Sequence, residues 1–123
     1  MPVPPTEEEI SQIRHDFRRC RSGTADTIVD LRRTANTELI PVIVRGIVWR
    51  YVNEQMQPAV EKATAETPLG SLGIDSLTMM EIVLDVQDAL NLTIEDTDLK
   101  QMKTIGDVVG FLQQRFAQVH SGS

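Results

Sequence analysis

The segment from residue 39 to residue 52, LIPVIVRGIVWRYV, constrains the fold more than any other, because its composition and its spacing favour different structures. Isoleucine and valine are typical of strands. The apolar residues nevertheless recur at intervals of three and four, so that one helix face carries Ile40, Ile43, Val44, Ile47, Val48 and Tyr51. Pro41 is tolerated in the first turn of a helix. We therefore predict a helix for this segment.

Helical spacing also extends toward the N-terminus. Thr6 and Glu9 have the spacing of a capping box. The apolar positions that follow recur at helical intervals as far as Ser22-Gly23, and they are Ile10, Ile13, Phe17 and Cys20. A shorter helix is expected around residues 25–35. These two segments predict a helical extension in front of the 39–52 helix.

The C-terminal half contains a long connection and three further helical segments. Residues 55–73 carry two prolines and two glycines, and loops of this length tend to be functional. We predict a helix over residues 76–90, one or two turns near residues 96–100, and a last helix that begins at Thr104 with Asp107 as part of its cap. Because no segment has the alternation of a strand, the predicted class is all-α, a small helical bundle.

The chain is predicted to consist of three parts. Residues 1–37 form the N-terminal helical extension, of which residues 1–5 are expected to be disordered. Residues 38–118 form the bundle, and residues 119–123 form a flexible tail. We hypothesise that the extension packs on the bundle, where Val42 and Trp49 would contact Ile10, Ile13 and Phe17.

Composition and charge limit the function classes. The single cysteine, Cys20, excludes an internal disulfide. The extension holds six basic and six acidic residues, so the whole net charge of −6 lies in residues 38–123 and favours basic protein partners over nucleic acid. The longest apolar stretch is too short to span a bilayer, and no secretory signal is present. We therefore expect a cytoplasmic, monomeric protein without membrane insertion.

A serine marks the start of the 76–90 helix. Asp75 is suited to cap this helix, which places Ser76 at the first helical position, beside unpaired amides and the positive end of the helix dipole. A phosphate ester attached to Ser76 would be favoured there. An Asp-Ser pair that does no more than cap a helix is the simpler interpretation of these two residues alone.

The same helix has two apolar stripes. One consists of Met79, Ile82, Val83, Val86 and Leu90, and the other of Leu77, Met80, Leu84 and Asp88, with Glu81 beside it. A small bundle cannot bury both, so an exposed apolar strip with an acidic rim of Glu81, Asp85 and Asp88 is expected to bind a partner protein. The alternative is that the N-terminal extension covers the second stripe.

The motif Gly73-Ile-Asp-Ser-Leu77 resembles the G-x-D-S-L signature of acyl carrier proteins, the phosphopantetheine-binding four-helix domain. Residues of about 40–118 match that family in the order of their segments. The resemblance implies that a phosphopantetheinyl transferase attaches 4'-phosphopantetheine from coenzyme A to Ser76, with Asp75 and Leu77 at the attachment site. The thiol of this arm, and not Cys20, would carry acyl groups as thioesters.

The resemblance also implies a partner face and a class of pathway. Residues that such carriers present to partner enzymes match Leu77, Met80, Glu81, Leu84 and Asp88. These enzymes would be a ketosynthase, reductase, dehydratase or acyltransferase of fatty-acid-like or polyketide-like biosynthesis. The chain departs from the family at Thr78, Gln87 and Asp85, and acidic residues usual before the motif are replaced by Gly70 and Ser71. These departures favour a specialised carrier.

Other functions have weaker support in the sequence. Ser76 does not lie in a G-x-S-x-G motif, and the two histidines, His15 and His120, lie near opposite ends of the chain. Residues 95–98 (EDTD) lack the glycine and glutamate of a calcium loop and are better explained as helix capping. Arg14, Arg18 and Arg21 share a face, but no aromatic residues are interleaved with them. A peptidyl or aryl carrier, or an unmodified helical interaction module, remains an alternative.

Overall fold

A computed structural model describes the backbone of residues 4–121 and the side chains of residues 4–119. Over these residues the protein is all-α, as predicted, with a single isolated bridge between Pro68 and Thr104. The helices of the described chain are α1 (Glu7–Asp16), α2 (Thr24–Thr34), α3 (Ile40–Tyr51), α4 (Gln57–Lys62), α5 (Ser76–Leu90), α6 (Asp96–Leu99) and α7 (Ile105–Ser121). Short 3-10 turns lie at Thr37–Leu39 and Leu69–Leu72.

Helix α3 confirms that spacing outweighs composition in the 39–52 segment. Its predicted stripe is buried from Ile40 to Val48, and Tyr51 is half-buried. Pro41 lies in the first turn, where a missing amide proton costs no helical hydrogen bond. Helix α3 is the centre of the molecule, because it packs against α2, α4, α5 and α7.

The connection between α3 and α5 is more ordered than the sequence indicated. It contains α4 and the Leu69–Leu72 turn. Pro58 lies in the first turn of α4, and the buried side chain of Val60 packs this short helix against the core. The prediction of one long connection was therefore wrong over these residues, because burial of single apolar side chains stabilises short helices that have no clear periodicity.

Two predicted helix ends also differ. Helix α1 has the predicted capping box of Thr6 and Glu9 but ends at Asp16, and turns carry the chain onward so that Phe17 and Cys20 are still buried. Helix α7 includes residues 119–121, which the sequence predicts to be part of the flexible tail. No glycine or proline interrupts its last turns, so the helix continues past its last buried residue, Phe116. Residues 1–3 of the predicted disordered segment and residues 122–123 of the tail lie outside the described residues.

The extension packs on the bundle through α2. Thr24 lies directly against Gly46 of α3, where an added Cβ would overlap the Thr24 side chain, and the Arg21 amide donates to the Gly46 carbonyl over 3.2 Å. Trp49 is half-buried against the core, and Val42 is half exposed. Their expected contacts with Ile10, Ile13 and Phe17 stay a prediction. The closest approach occurs at Gly46 because a residue without a side chain lets two helix backbones come together.

Candidate functional site

The chain enters α5 through a left-handed glycine. The Leu69–Leu72 turn ends at Gly73, whose φ of +80° is unfavourable for residues with a side chain, although the space around it is open. The next residue, Ile74, is buried and anchors the chain. Asp75 then has the extended conformation of an N-cap, and α5 begins at Ser76.

Backbone hydrogen bonds hold this loop against the start of α7. The Leu69 amide donates to the Lys103 carbonyl over 2.9 Å, and the Ile105 amide donates to the Thr67 carbonyl over 3.0 Å. The Gly106 amide adds a third bond, of 2.8 Å, to the carbonyl of Ala65. The segment that leads to Ser76 is therefore fixed by α7 and does not depend on α5 alone.

Asp75 caps α5 as predicted. Its Oδ1 accepts a hydrogen bond from the Thr78 amide over 2.8 Å, and this backbone hydrogen bond is the main reason that the pKa of Asp75 lies below its ordinary value of 3.8. The carboxylate is therefore charged at neutral pH. Ser76 is exposed at the first position of a 15-residue helix, so its hydroxyl lies at the positive end of the helix dipole and is accessible from solvent.

A groove opens beside Ser76 between α5 and the α6 region. Its apolar lining includes Met79, Leu99 and Met102, and the exposed Lys100 and Lys103 also border it. Methionine side chains adapt their shape readily. The surroundings of Ser76 could therefore accommodate a flexible substituent that has an anionic end at the serine and an apolar body.

Helix α5 buries only one of its two apolar stripes. Ile82, Val83, Val86 and Leu90 are buried, and Met79 is half-buried. The second stripe is open to solvent, since Leu77, Met80 and Leu84 are 70%, 55% and 59% exposed. We call these three residues the docking ridge. The exposed acidic residues Glu81 and Asp88 lie on the same helix face, and the N-terminal extension does not cover the ridge.

Asp85 links α5 to α3. Its Oδ2 accepts hydrogen bonds from Arg50 Nη1 over 3.1 Å and from the Tyr51 hydroxyl over 2.7 Å. Burial and then the hydrogen bond to Asp85 raise the pKa of Tyr51, and burial and then the charge of Asp85 raise the pKa of the buried Cys20 thiol to about 11. The prediction that Asp85 belongs to the acidic rim is therefore wrong, because its half-buried carboxylate contacts α3.

Arg32 holds the other end of α5, and sequence reasoning missed it. Its Nε donates to the Ala89 carbonyl over 3.2 Å and its Nη2 to the Asp88 carbonyl over 2.5 Å. A basic residue can satisfy the last carbonyls of a helix. The sequence gives no sign of this contact, because the partners are 56 and 57 residues apart.

The features that suggested other functions interact within the chain. Arg14 and Arg21 pair with Asp26 and Glu61 at 3.3 Å and 2.6 Å, and Arg18 donates to the His15 carbonyl. In the EDTD segment, the Glu95 amide donates to Asp98 Oδ2 over 2.9 Å, which is part of a capping box. The described residues contain no group of three or more His, Cys, Asp or Glu side chains placed to hold a metal ion. The side chain of His120 lies outside them.

None of the helices in the described part of the chain has both the length and the hydrophobicity needed to cross a membrane.

The chain is similar to known phosphopantetheine-binding carrier proteins. The family model for the phosphopantetheine attachment site matches residues 52–112, which include Ser76. An acyl carrier protein of an Exiguobacterium species is 40% identical over 65 residues, which are 52% of this chain and 82% of that protein. The acyl carrier protein of Exiguobacterium sibiricum is 32% identical over 76 residues, 62% of this chain and 91% of that protein. The meromycolate extension acyl carrier protein of Mycolicibacterium aurum is 44% identical over 43 residues, 35% of this chain and 44% of that protein. No solved structure gives a significant match.

Proposed function

Because this chain belongs to the acyl carrier protein family, whose prosthetic group is 4'-phosphopantetheine, we propose that the group is attached to Ser76 and carries acyl groups as thioesters. The observation that carries the proposal is the exposed Ser76 hydroxyl at the start of α5, directly after a charged N-cap. The serine, the helix dipole and the adjoining groove all suit a phosphodiester with a flexible arm.

In the proposed attachment reaction, a phosphopantetheinyl transferase supplies the catalytic groups and this protein is its substrate. Ser76 Oγ loses its proton to a base and forms a bond to the phosphorus that carries pantetheine in coenzyme A. The bond from that phosphorus to the bridging oxygen of the pyrophosphate breaks, and adenosine 3',5'-bisphosphate leaves. Asp75 and Leu77 flank Ser76 and contribute to recognition by the transferase.

The thiol that carries the acyl group belongs to the arm and not to Cys20. The Cys20 side chain is only 6% exposed and has no path for an enzyme-bound substrate to reach it. Its pKa of about 11 keeps it in the thiol form at neutral pH, whereas thioester exchange requires a thiolate. The protein itself acts as a carrier without catalysing acyl chemistry.

The docking ridge and its acidic rim are the proposed contact face for partner enzymes. Leu77, Met80 and Leu84 offer apolar side chains, and Glu81 and Asp88 offer carboxylates to basic partner surfaces. A net charge of −6 increases the encounter rate with such surfaces. The partners are a ketosynthase, reductase, dehydratase or acyltransferase of cytoplasmic fatty-acid-like or polyketide-like biosynthesis, and the departures at positions 70, 71, 78, 85 and 87 favour a dedicated pathway.

The experiment that tests this function is enzymatic loading followed by intact mass measurement. The purified protein is incubated with coenzyme A and a broad-specificity phosphopantetheinyl transferase. We expect a gain of one phosphopantetheine group, which Ser76→Ala abolishes. Ser71→Ala is the matched control, because Ser71 is an exposed serine of the same loop whose hydroxyl bonds to the Pro68 carbonyl.

A thiol titration gives a second readout of the same reaction. With its pKa of about 11, Cys20 should be roughly one-thousandth thiolate near pH 8, so the unloaded protein should react slowly. Loading should add one fast-reacting thiol. If the unmutated protein gains no mass, the carrier function is wrong and the helical interaction module is favoured. The acyl group found on protein from its native cell would distinguish fatty-acid-like from peptidyl or aryl cargo.

A further inference from the structure

The end of α5 opposite to Ser76 is held by the N-terminal extension. An α-helix leaves its last four carbonyl groups without helical partners. In α5, the Gln87 carbonyl accepts from the amides of Asn91 and Leu92, with Asn91 in the left-handed conformation at φ 55°. The next two carbonyls, of Asp88 and Ala89, accept from Arg32 of α2. The extension therefore satisfies two of the last four carbonyls of this helix.

Arg32 lies on a helix that packs against α1 and α3 as well as against α5. Helix α2 buries Ile28 and Leu31 completely, and its Thr24 is packed against Gly46 of α3. The guanidinium group thus projects from a helix whose position does not depend on α5 alone. Its positive charge also lies at the negative end of the α5 dipole, and this attraction adds to the two hydrogen bonds.

The contact is made to a residue of the proposed partner face. Arg32 binds the backbone carbonyl of Asp88, while the Asp88 side chain remains exposed. The extension can therefore fix where this carboxylate lies without neutralising it through an ion pair. The side chain of Arg33, the next residue along α2, is exposed and makes no hydrogen bond or ion pair with residues 4–119.

We propose that the N-terminal extension orients the C-terminal half of α5 for partner binding, and that Arg32 is the positioning residue through which it acts. This inference rests on the proposed function, since it takes the docking ridge and its acidic rim as the partner face. It assigns a role to residues 4–37: they hold the carrier's recognition surface in place without contacting the partner enzyme.

The first arm of the test measures the α5 end directly in the full-length protein. Amide hydrogen exchange over residues 86–92 is compared in Arg32→Ala and Arg33→Ala, which remove the same charge from adjacent positions. Because two hydrogen bonds to a charged group are lost, we expect protection there to fall by about tenfold or more in Arg32→Ala. Protection in Arg33→Ala should equal that of the unmutated protein. Equal protection in both variants would overturn the proposal.

The second arm measures partner binding, which a merely structural contact would not change. Loading of each variant by the broad-specificity transferase with coenzyme A is followed as a function of carrier concentration. Because the partner face is held less firmly, we expect Arg32→Ala to raise KM by about threefold to tenfold and to leave kcat unchanged. Arg32→Lys, which restores the charge without the fork of donors, should recover part of the difference.

The outcomes separate this inference from the proposed function. If the unmutated protein is not loaded, the carrier function itself fails. If it is loaded and Arg32→Ala has the KM of Arg33→Ala, the extension does not act on partner binding and only this inference fails. If circular dichroism shows that Arg32→Ala is unfolded, hydrogen exchange and loading are measured in Arg32→Lys and Arg33→Lys instead. Equal results in these two variants would then overturn the inference.

Discussion

The two ends of α5 are built in opposite ways. At the N-terminal end, Ser76 and Leu77 are exposed, and the helix is capped by its own neighbour, Asp75. At the C-terminal end, Leu90 is buried and Arg32 binds two carbonyls from another helix. Between the two ends, Asp85 joins α5 to α3.

Within this one helix, the serine that is accessible from solvent and the contacts with Arg32 that stabilise the helix therefore lie at different ends. In the proposed function, the serine end needs room for a transferase and for partner enzymes, so side chains that covered Ser76 would obstruct the reaction. The far end provides the contacts that keep the helix in place. The docking ridge can therefore be exposed while α5 stays ordered, because other residues of the helix hold it in place.

The largest expected difference comes from the same substitution at the two ends. Leu90→Ala should lower the free energy of unfolding by about 2–5 kcal/mol, since it leaves a cavity in the core. Leu77→Ala should change it by less than about 0.5 kcal/mol, because that side chain is 70% exposed. Urea unfolding measures both free energies. The rate of loading by the transferase should change in the reverse order, more in Leu77→Ala than in Leu90→Ala. Similar destabilisation by both variants would contradict the contrast.

A smaller effect is expected at the middle of the helix. Asp85→Ala leaves the half-buried Arg50 and Tyr51 without their acceptor, which should cost about 1–3 kcal/mol of unfolding free energy. Asp88→Ala, one turn further along and exposed, is the control and should cost less than about 0.5 kcal/mol.

A spectroscopic titration checks the same contact. The pKa of Tyr51 should fall toward its ordinary value of 10.0 in Asp85→Ala, because the variant removes both the hydrogen bond and the charge that oppose ionisation. Ultraviolet absorbance of this single tyrosine reports it. An unchanged titration would mean that Asp85 does not bind Tyr51.

The smallest effect on stability concerns the cap at the serine end. The pKa of Asp75 is lowered in the folded protein, so its charged form contributes stability above the ordinary value of 3.8, and this contribution is lost as the pH falls through the lowered pKa. Asp75→Asn keeps an acceptor for the Thr78 amide but does not titrate. The variant should therefore lose less stability than the unmutated protein between about pH 7 and about pH 3, as measured by urea midpoints.

The cap of α7 provides the matched control. Asp107 also has a lowered pKa, through the amides of Lys103 and Thr104, so Asp107→Asn should flatten the acid dependence in the same direction. Only Asp75→Asn should also slow loading by the transferase, because Asp107 caps a different helix. Equal loading rates in the two variants would remove Asp75 from the recognition site.

Local features of the site were predictable from the sequence. The caps at Thr6, Asp75 and Thr104 depend on residues no more than three positions away, so their chemistry can be read from the chain. The apolar spacing gave α3 and the two stripes of α5 in the same way. Short helices such as α4 were missed because burial of a single residue, Val60, stabilises them without any periodic pattern.

The sequence alone determined the longer helices and placed a serine at the start of α5, since helical periodicity and capping act between near neighbours. Only the tertiary structure decided which stripe of α5 is exposed, because that depends on where the extension packs. It also brought Arg32 to the end of α5 and Arg50 to Asp85, across 56 and 35 residues of chain. Such contacts form when burial of the core fixes the helices relative to one another, and no local pattern encodes them.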